Sequence, residues 1–429
     1  MRNLSIRGAL CALLPLAVGI GCREVTTLEQ SNPGSLSAAT VYTPDNAQLL
    51  VNGAIGDFEC AFSRYVVGSG LFTDELSDAI SNPDNFAFDR RTLATNASYG
   101  TGTCGGNQQP PIYTPLSTAR ASTDTVLAKL RGWTDAEMPP GVNRTKLIGQ
   151  AAAYAGYSLV LLGEGMCSAA VNLGPELQPA DLFAQAKIRF DSAIVAATAA
   201  NDAATLNFAT LGRARTLLDL KDPANAEKDA LKIPSGFAVN MTTDGVNLRR
   251  ENFVYWQINQ NAYSTIEPSA RSLTIGGAPD PRVAVTNTGK AGTVSGTQVW
   301  TADKYPALTT PIPIARYAEA QLIIADARLA ANDLSGAAAA INAARATHPG
   351  LPQYSATGQT ADSVKAQLIE DRRRELFLEG HRLGDLRRYG IPFAPATGTA
   401  YPGGGGTYGA QTCFPLPDVE RINNPSISK

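Results

Sequence analysis

The stretch Glu370–Gly390 reads EDRRRELFLEGHRLGDLRRYG, and the rest of the chain is best approached from it. From Arg372 to Leu378, good helix formers run without a proline or a β-branched residue, which predicts helix. Gly380 predicts a stop, and Leu383 to Tyr389 a second short helical piece. On such a helix Arg372, Leu376 and Glu379 share one face, as do Arg373, Phe377 and Gly380. A solvated charged helix keeps its charges apart from its apolar stripe. Here charge stands beside bulk on every face. That predicts a helix wedged between neighbours, its arginines forked onto carboxylates or carbonyls.

Composition bounds what surrounds it. The 429 residues are 44% apolar and 17% charged, enough for a large core under a weakly charged polar surface. Alanine dominates the apolar set, which favours closely packed helices. The 36 basic and 38 acidic residues nearly cancel and no basic run occurs, so nothing points to nucleic acid. His348 and His381 lie far apart and no H-E-x-x-H or C-x-x-C occurs, so no zinc site is expected. Gly100-x-Gly102-x-x-Gly105 has the letters of a dinucleotide fingerprint. No strand precedes it, however, and Pro110-Pro111 follows where a helix should run. Asp74, Glu75 and Asp78 are close enough for an acid pair, but carboxylates in a Gly/Asn/Ser-rich loop more often cap turns. With no nucleophile elbow or phosphate loop, the chain does not read as an enzyme and needs no cofactor.

At the start, Arg2 and Arg7 precede an apolar run from Ala9 to Ile20, interrupted by Pro15 and too short to span a bilayer comfortably. Its small residues end at Gly21-Cys22, like a bacterial lipoprotein signal with Cys22 as the lipidated residue. Gly19 stands where such signals prefer leucine. Residues 1–21 are therefore expected as a signal peptide, 22–40 as a flexible tether and 41–429 as the folded domain. Export leaves Cys60, Cys104, Cys167 and Cys413 in an oxidising compartment, where two disulfides have three possible pairings. Cys60 with Cys104 and Cys167 with Cys413 are favoured. The first would pin an early loop to the helix before it, and the second would tie the C-terminal tail to the helical core.

Thr43-Pro44 opens a helix that Ala47, Leu50, Ala54, Phe58 and Phe62 carry toward Tyr65. From Gly68 to Pro111 the period fails, and Phe72, Phe86, Phe88 and Tyr99 are scattered through polar loop residues. Helices resume at Thr114-Pro115, over Asn143–Leu162, from Pro179, over Ala203–Leu220 and after Asp222-Pro223. Pro313 to Ala346 spans 34 residues, the length of one tetratricopeptide unit, with its turn at Asn332-Asp333. Between these blocks, Pro234–Pro311 is irregular, with β-type alternation around Phe253–Ile258 and Thr293–Trp300. The expected fold is mainly α: tetratricopeptide-like hairpins forming a superhelical scaffold, with long irregular loops and a few short β-strands.

A resemblance gathers these pieces. The pattern R-R-x-E-L-x-x-E-G-x-R-x-x-D-L-x-R is met by Arg372, Arg373, Glu375, Leu376, Glu379, Gly380, Arg382, Asp385, Leu386 and Arg388. It resembles the C-terminal signature of the SusD/RagB family, outer-membrane nutrient-binding lipoproteins. That family usually has aromatics after the second arginine, where this chain has Leu383 and Gly384. Phe414-Pro415-Leu416-Pro417 and Asn424-Pro425 resemble the family's closing motifs. The resemblance implies a protein that is not catalytic. It implies a lipid anchor facing the cell exterior, a TonB-dependent (SusC-like) transporter as partner, and a ligand surface built from the early loop and the middle segment.

Those are also the segments whose aromatics lie off helical faces. Sugar rings stack on Trp and Tyr while Asp and Arg bond their hydroxyls. The candidate ligand residues are Asp74, Asp78, Phe86, Arg90, Tyr99, Trp256, Tyr263 and Trp300. An oligosaccharide is the expected ligand. A peptide ligand, or a lipid-anchored scaffold binding only proteins, are the alternatives. A peptide site would need backbone-pairing edges, and a scaffold would need aromatic or charged residues along its helical concavity, where this chain has mostly Ala and Leu.

Overall fold

The computed structural model describes residues 37–105, 110–294, 296–402 and 404–427. The leader, Cys22 and most of the expected tether lie outside the described residues. The end of that tether forms α1 (Ala38–Val41), capped by the Ser37 side chain.

Helix α2 (Ala47–Phe72) runs on past Tyr65, because every residue from Phe58 to Phe72 is buried. A helix buried all round has no polar face, so the 3.6-residue period that would have revealed it is missing. The expected long loop after it also holds structure: a strand at Leu76–Asp78, α3 (Pro83–Asp89), which Pro83 opens, and α4 (Ser98–Thr101).

Five helices follow as packed neighbours: α5 (Tyr113–Gly132), α6 (Arg144–Gly165), α7 (Pro179–Ala199), α8 (Ala203–Asp219) and α9 (Pro223–Ala230). One punctuation recurs between hairpin helices. Asn201, Lys221 and Asn332 take left-handed backbone, and the aspartate after each, Asp202, Asp222 and Asp333, caps the next helix. Phe190 of α7 fills the space over two glycines. A methyl group at Gly156 would lie 2.7 Å from its ring, and one at Gly212 closer still.

The middle segment departs from its expected strands. Asn252 accepts a hydrogen bond from the Tyr255 amide, and Phe253–Tyr255 forms α10, running into one π-turn at Trp256–Gln260. A short run of alternating apolar residues fits either period, and the cap decides for helix. Of Thr293–Trp300, only the end is extended: Gln298–Ala302 pairs with Val285–Ala291. Among the described residues every sheet has two antiparallel strands.

The 34-residue unit is present as α11 (Tyr317–Ala330) and α12 (Leu334–Arg345), followed by α13 (Ala361–Glu375), α14 (Arg382–Tyr389) and α15 (Asp418–Asn423). The fold is mainly α, a scaffold of tetratricopeptide-like hairpins with few short strands. Both favoured disulfides are formed, Cys60–Cys104 and Cys167–Cys413.

The signature helix stops earlier than Gly380. Leu378 turns left-handed at φ 55° and Gly380 at φ 76°, and the Glu75 carboxylate accepts from the Leu378 amide at 2.9 Å. The expected forks are there. Arg372 grips Asp385 through two 2.9 Å bonds. Arg316 reaches Glu375 at 2.7 Å and Glu379 at 2.9 Å, and Lys304 also donates to Glu379. All four signature carboxylates and guanidiniums in these pairs are in the interior: Arg372, Glu375, Glu379 and Asp385.

Candidate ligand-binding site

The early loop and the middle segment meet through a short ladder, Leu76 opposite Ile266 and Asp78 opposite Ser264. Helix α3 then stands against the turn that follows the π-helix. The Asn85 side-chain amide lies 3.4 Å from Gln257 Oε1, the Tyr263 carbonyl and Ser264 Oγ. Two regions that are far apart in sequence are thus joined through the ladder and α3.

In the middle segment, the π-turn sets the rings. Trp256 stacks on Phe253 with centroids 5.3 Å apart and planes within 10°, and the Arg64 guanidinium lies 4.4 Å over Phe253. Tyr263 meets Trp256 edge-on at 5.2 Å. Asn259 fastens the π-turn to the neighbouring strand, donating to the carbonyls of Ala302 and Tyr305 and accepting from the Ala302 amide. That strand carries Trp300, whose amide donates to Thr265 Oγ1 at 2.8 Å and whose ring lies 5.5 Å beneath the Arg271 guanidinium. The Trp300 indole N–H is buried without a protein acceptor. Trp256, Tyr263 and Trp300 are each half-buried.

On the other side of α3 lies the glycine-rich loop between α14 and α15 that carries Tyr401 and Tyr408. The Phe86 ring meets Tyr401 edge-on at 5.0 Å, and the Arg90 guanidinium sits 4.5 Å over Phe86 while bonding the Thr407 carbonyl. Tyr401 in turn meets Tyr408 at 5.3 Å. The loop needs glycine here: Gly406 has φ 116°, and a methyl group on it would lie 2.7 Å from Arg90.

Two carboxyls sit beneath. Asp89 Oδ2 accepts from the Tyr401 hydroxyl at 2.9 Å and from the Asp78 amide at 2.8 Å. Burial pushes Asp89 up to about 7 and Asp78 up to about 6. Both are therefore poised near neutrality, Asp89 as the support of a ring and Asp78 as the acceptor for the Ile80 amide.

Of the eight candidate residues, Trp256 and Tyr263 are in ring contact and Trp300 is tied to their segment through Thr265, while Phe86 and Arg90 form a second cluster with Tyr401 on the other side of α3. Asp78 lies below that second cluster. Asp74 is in the interior, forked by Arg382 at 2.6 and 2.7 Å; burial works against its charge, and Arg382 outweighs burial to hold it below the usual carboxylate range. Tyr99 is also buried, its hydroxyl donating to the Pro415 carbonyl at 2.8 Å, so it anchors the tail. Sequence reasoning missed Tyr401, Asn85, Asn259 and Arg271. Tyr401 and Tyr408 flank the Pro402–Thr407 stretch that holds the glycine run 403–406, and that was the available signal for both. The half-buried rings are flanked by amide and guanidinium groups, the chemistry that suits a hydroxylated ring.

Comparison with known proteins now adds the lineage. The model of the SusD family matches residues 237–424, which hold the middle segment and the whole signature. The fold is shared with a SusD superfamily protein from Bacteroides fragilis, at TM-score 0.68 and 15% identity over 90% of this chain and 99% of that one. A SusD-like carbohydrate binding protein from Bacteroides vulgatus gives 0.66 and 15%, over 90% and 97%. Surface glycan-binding protein A from Bacteroides fluxus gives 0.64 and 14%, over 88% and 98%. No curated protein matches. The signature read in the sequence thus lies inside the stretch that the SusD family model matches, and the fold is one that solved SusD superfamily proteins share.

Proposed function

We propose that the protein is a cell-surface nutrient receptor that binds an oligosaccharide on the Phe86–Trp256–Tyr263–Trp300 surface and passes it to a TonB-dependent outer-membrane transporter. The observation that carries this reading is the company these rings keep. They are half-buried, on short elements cross-linked by side-chain hydrogen bonds, and have polar groups beside them. Stacking on such platforms suits the apolar faces of pyranose rings. Two of the structural relatives carry carbohydrate or glycan binding in their descriptions, which agrees with this choice over a peptide. A glycan and peptide array probed with the purified protein tests it. Retention of glycans supports the reading, and retention of peptides alone overturns it.

Anchoring through Cys22 belongs to the same proposal. Among the described residues no helix is long and apolar enough to cross a membrane. Cys22→Ala should move the protein from the membrane fraction to the soluble one, and a variant that still sediments with isolated outer membranes would contradict the anchor.

A further inference from the structure

Away from that surface, and sharing no lining residue with it, two concavities adjoin on the helical side of the fold. The first, of about 240 Å³, is lined by Gly163, Pro179 and Phe183 and by Asp219, Lys221 and Arg387. The second, of about 430 Å³, is lined by Leu218, Pro223 and Leu329 and by Lys221, Lys365 and Tyr389. Lys221 and Arg388 line both, so the two form one groove. Its apolar walls are Pro179 and Phe183 at one end and Leu218, Pro223 and Leu329 at the other.

The charges along it are unevenly spent. The carboxylates all have partners: Glu164 takes Arg215, Asp219 takes Arg388, and Asp326 takes the Tyr389 hydroxyl. Three cations do not. Among the described residues Lys221, Lys365 and Arg387 form no ion pair. Arg387 spends its Nη1 on the carbonyls of Gly163, Glu164 and Met166 at the end of α6, and burial works against its charge by more than the nearby Glu164 and Asp219 carboxylates offset. Elsewhere in this region the arginines are forked onto acids, and an incompletely compensated, partly desolvated guanidinium is costly. Lys221 is held at the groove's midpoint by the left-handed turn between α8 and α9.

We propose that this groove docks an extended acidic segment of a partner protein, with its apolar side chains on Phe183 and Leu329 and its carboxylates on Arg387, Lys221 and Lys365. Alternating apolar and acidic residues suit it, since successive side chains of an extended chain point to opposite sides. Charge complementarity favours an acidic partner over a basic one, and the apolar walls favour a peptide over a simple anion. The proposal does not depend on the glycan reading.

Fluorescence anisotropy with labelled decapeptides tests it, using alternating Asp-Leu, Asp-Ser and Lys-Leu sequences on the purified protein. The Asp-Leu peptide should bind at least tenfold more tightly than either of the others. The double substitution Lys221→Glu and Lys365→Glu, at two exposed lysines, should weaken it at least tenfold while leaving the circular dichroism spectrum and any glycan titration unchanged. Asp-Leu binding that survives the double substitution overturns the proposal, as does equal binding of the Asp-Ser or Lys-Leu peptide. Displacement of Asp-Leu by equimolar citrate would also overturn it, by showing a site for small anions only.

Discussion

The Arg382 guanidinium holds the Asp74 carboxylate in a two-pronged fork, at 2.6 and 2.7 Å, across 308 residues of sequence. Through it the C-terminal signature grips the segment that leads into the candidate site. Arg373 stands 3.4 Å from the same carboxylate, and Glu75, next in sequence, holds the turn at Leu378. The signature is therefore a clamp on the segment that leads into α3 and the candidate site.

Removing one partner of such a network should unfold the protein more readily without touching the site. Glu379 is the sharpest case, since Lys304 would lose its carboxylate and Arg316 one of its two in the interior. Glu379→Ala should cost about 3–5 kcal/mol, the range for breaking a buried pair. Urea titration reads the loss, and ligand affinity of the folded fraction should be unchanged.

The tail depends on a covalent tie. Cys167 and Cys413 are 246 residues apart in sequence, so their bond restricts a very long loop in the unfolded chain. Loss of the bond in Cys413→Ser should lower stability by roughly 3–5 kcal/mol. A melt of the variant beside oxidised wild type measures this, and an unchanged midpoint would mean the tail is held by Phe414 and Tyr99 packing alone.

Asp89 makes stability respond to pH. Burial holds it up to about 7 in the fold, whereas an unfolded aspartate titrates near 4. Between those values the folded protein keeps a proton that the unfolded chain gives up. The stabilisation is thus complete below about pH 4 and lost as pH rises through 7. Asp89→Asn cannot titrate, so the wild-type melting temperature should fall relative to the variant's between about pH 5 and pH 8. A difference independent of pH would contradict the assignment.

How much of this was legible follows from which forces leave a pattern. The hairpin at Pro313–Ala346 was plain because one face of each helix is buried and Asn332-Asp333 marks the turn. The forks of the signature were legible because arginine beside leucine on every face has few other uses. Helix α2 beyond Tyr65 was not, since complete burial erases the period. Phe253–Ile258 was read in the wrong period because six residues fit both, and only the Asn252 cap separates them. At the site, composition picked out the two contributing segments. It could not show that Asp74 faces Arg382, that Tyr99 faces the tail, or that Tyr401 closes on Phe86, because those are pairings across more than 300 residues.

The central claim is that half-buried rings on the middle segment stack against a sugar. Titration calorimetry of Trp256→Ala and Trp300→Ala, against whichever glycan the array retains, tests it most directly once both variants are shown to fold. An aromatic platform contributes about 0.5–1.5 kcal/mol beyond the area it buries. With that area also lost, each substitution should weaken binding about tenfold or more. Wild-type affinity in both variants would make these tryptophans anchors of their own loops and would contradict the account.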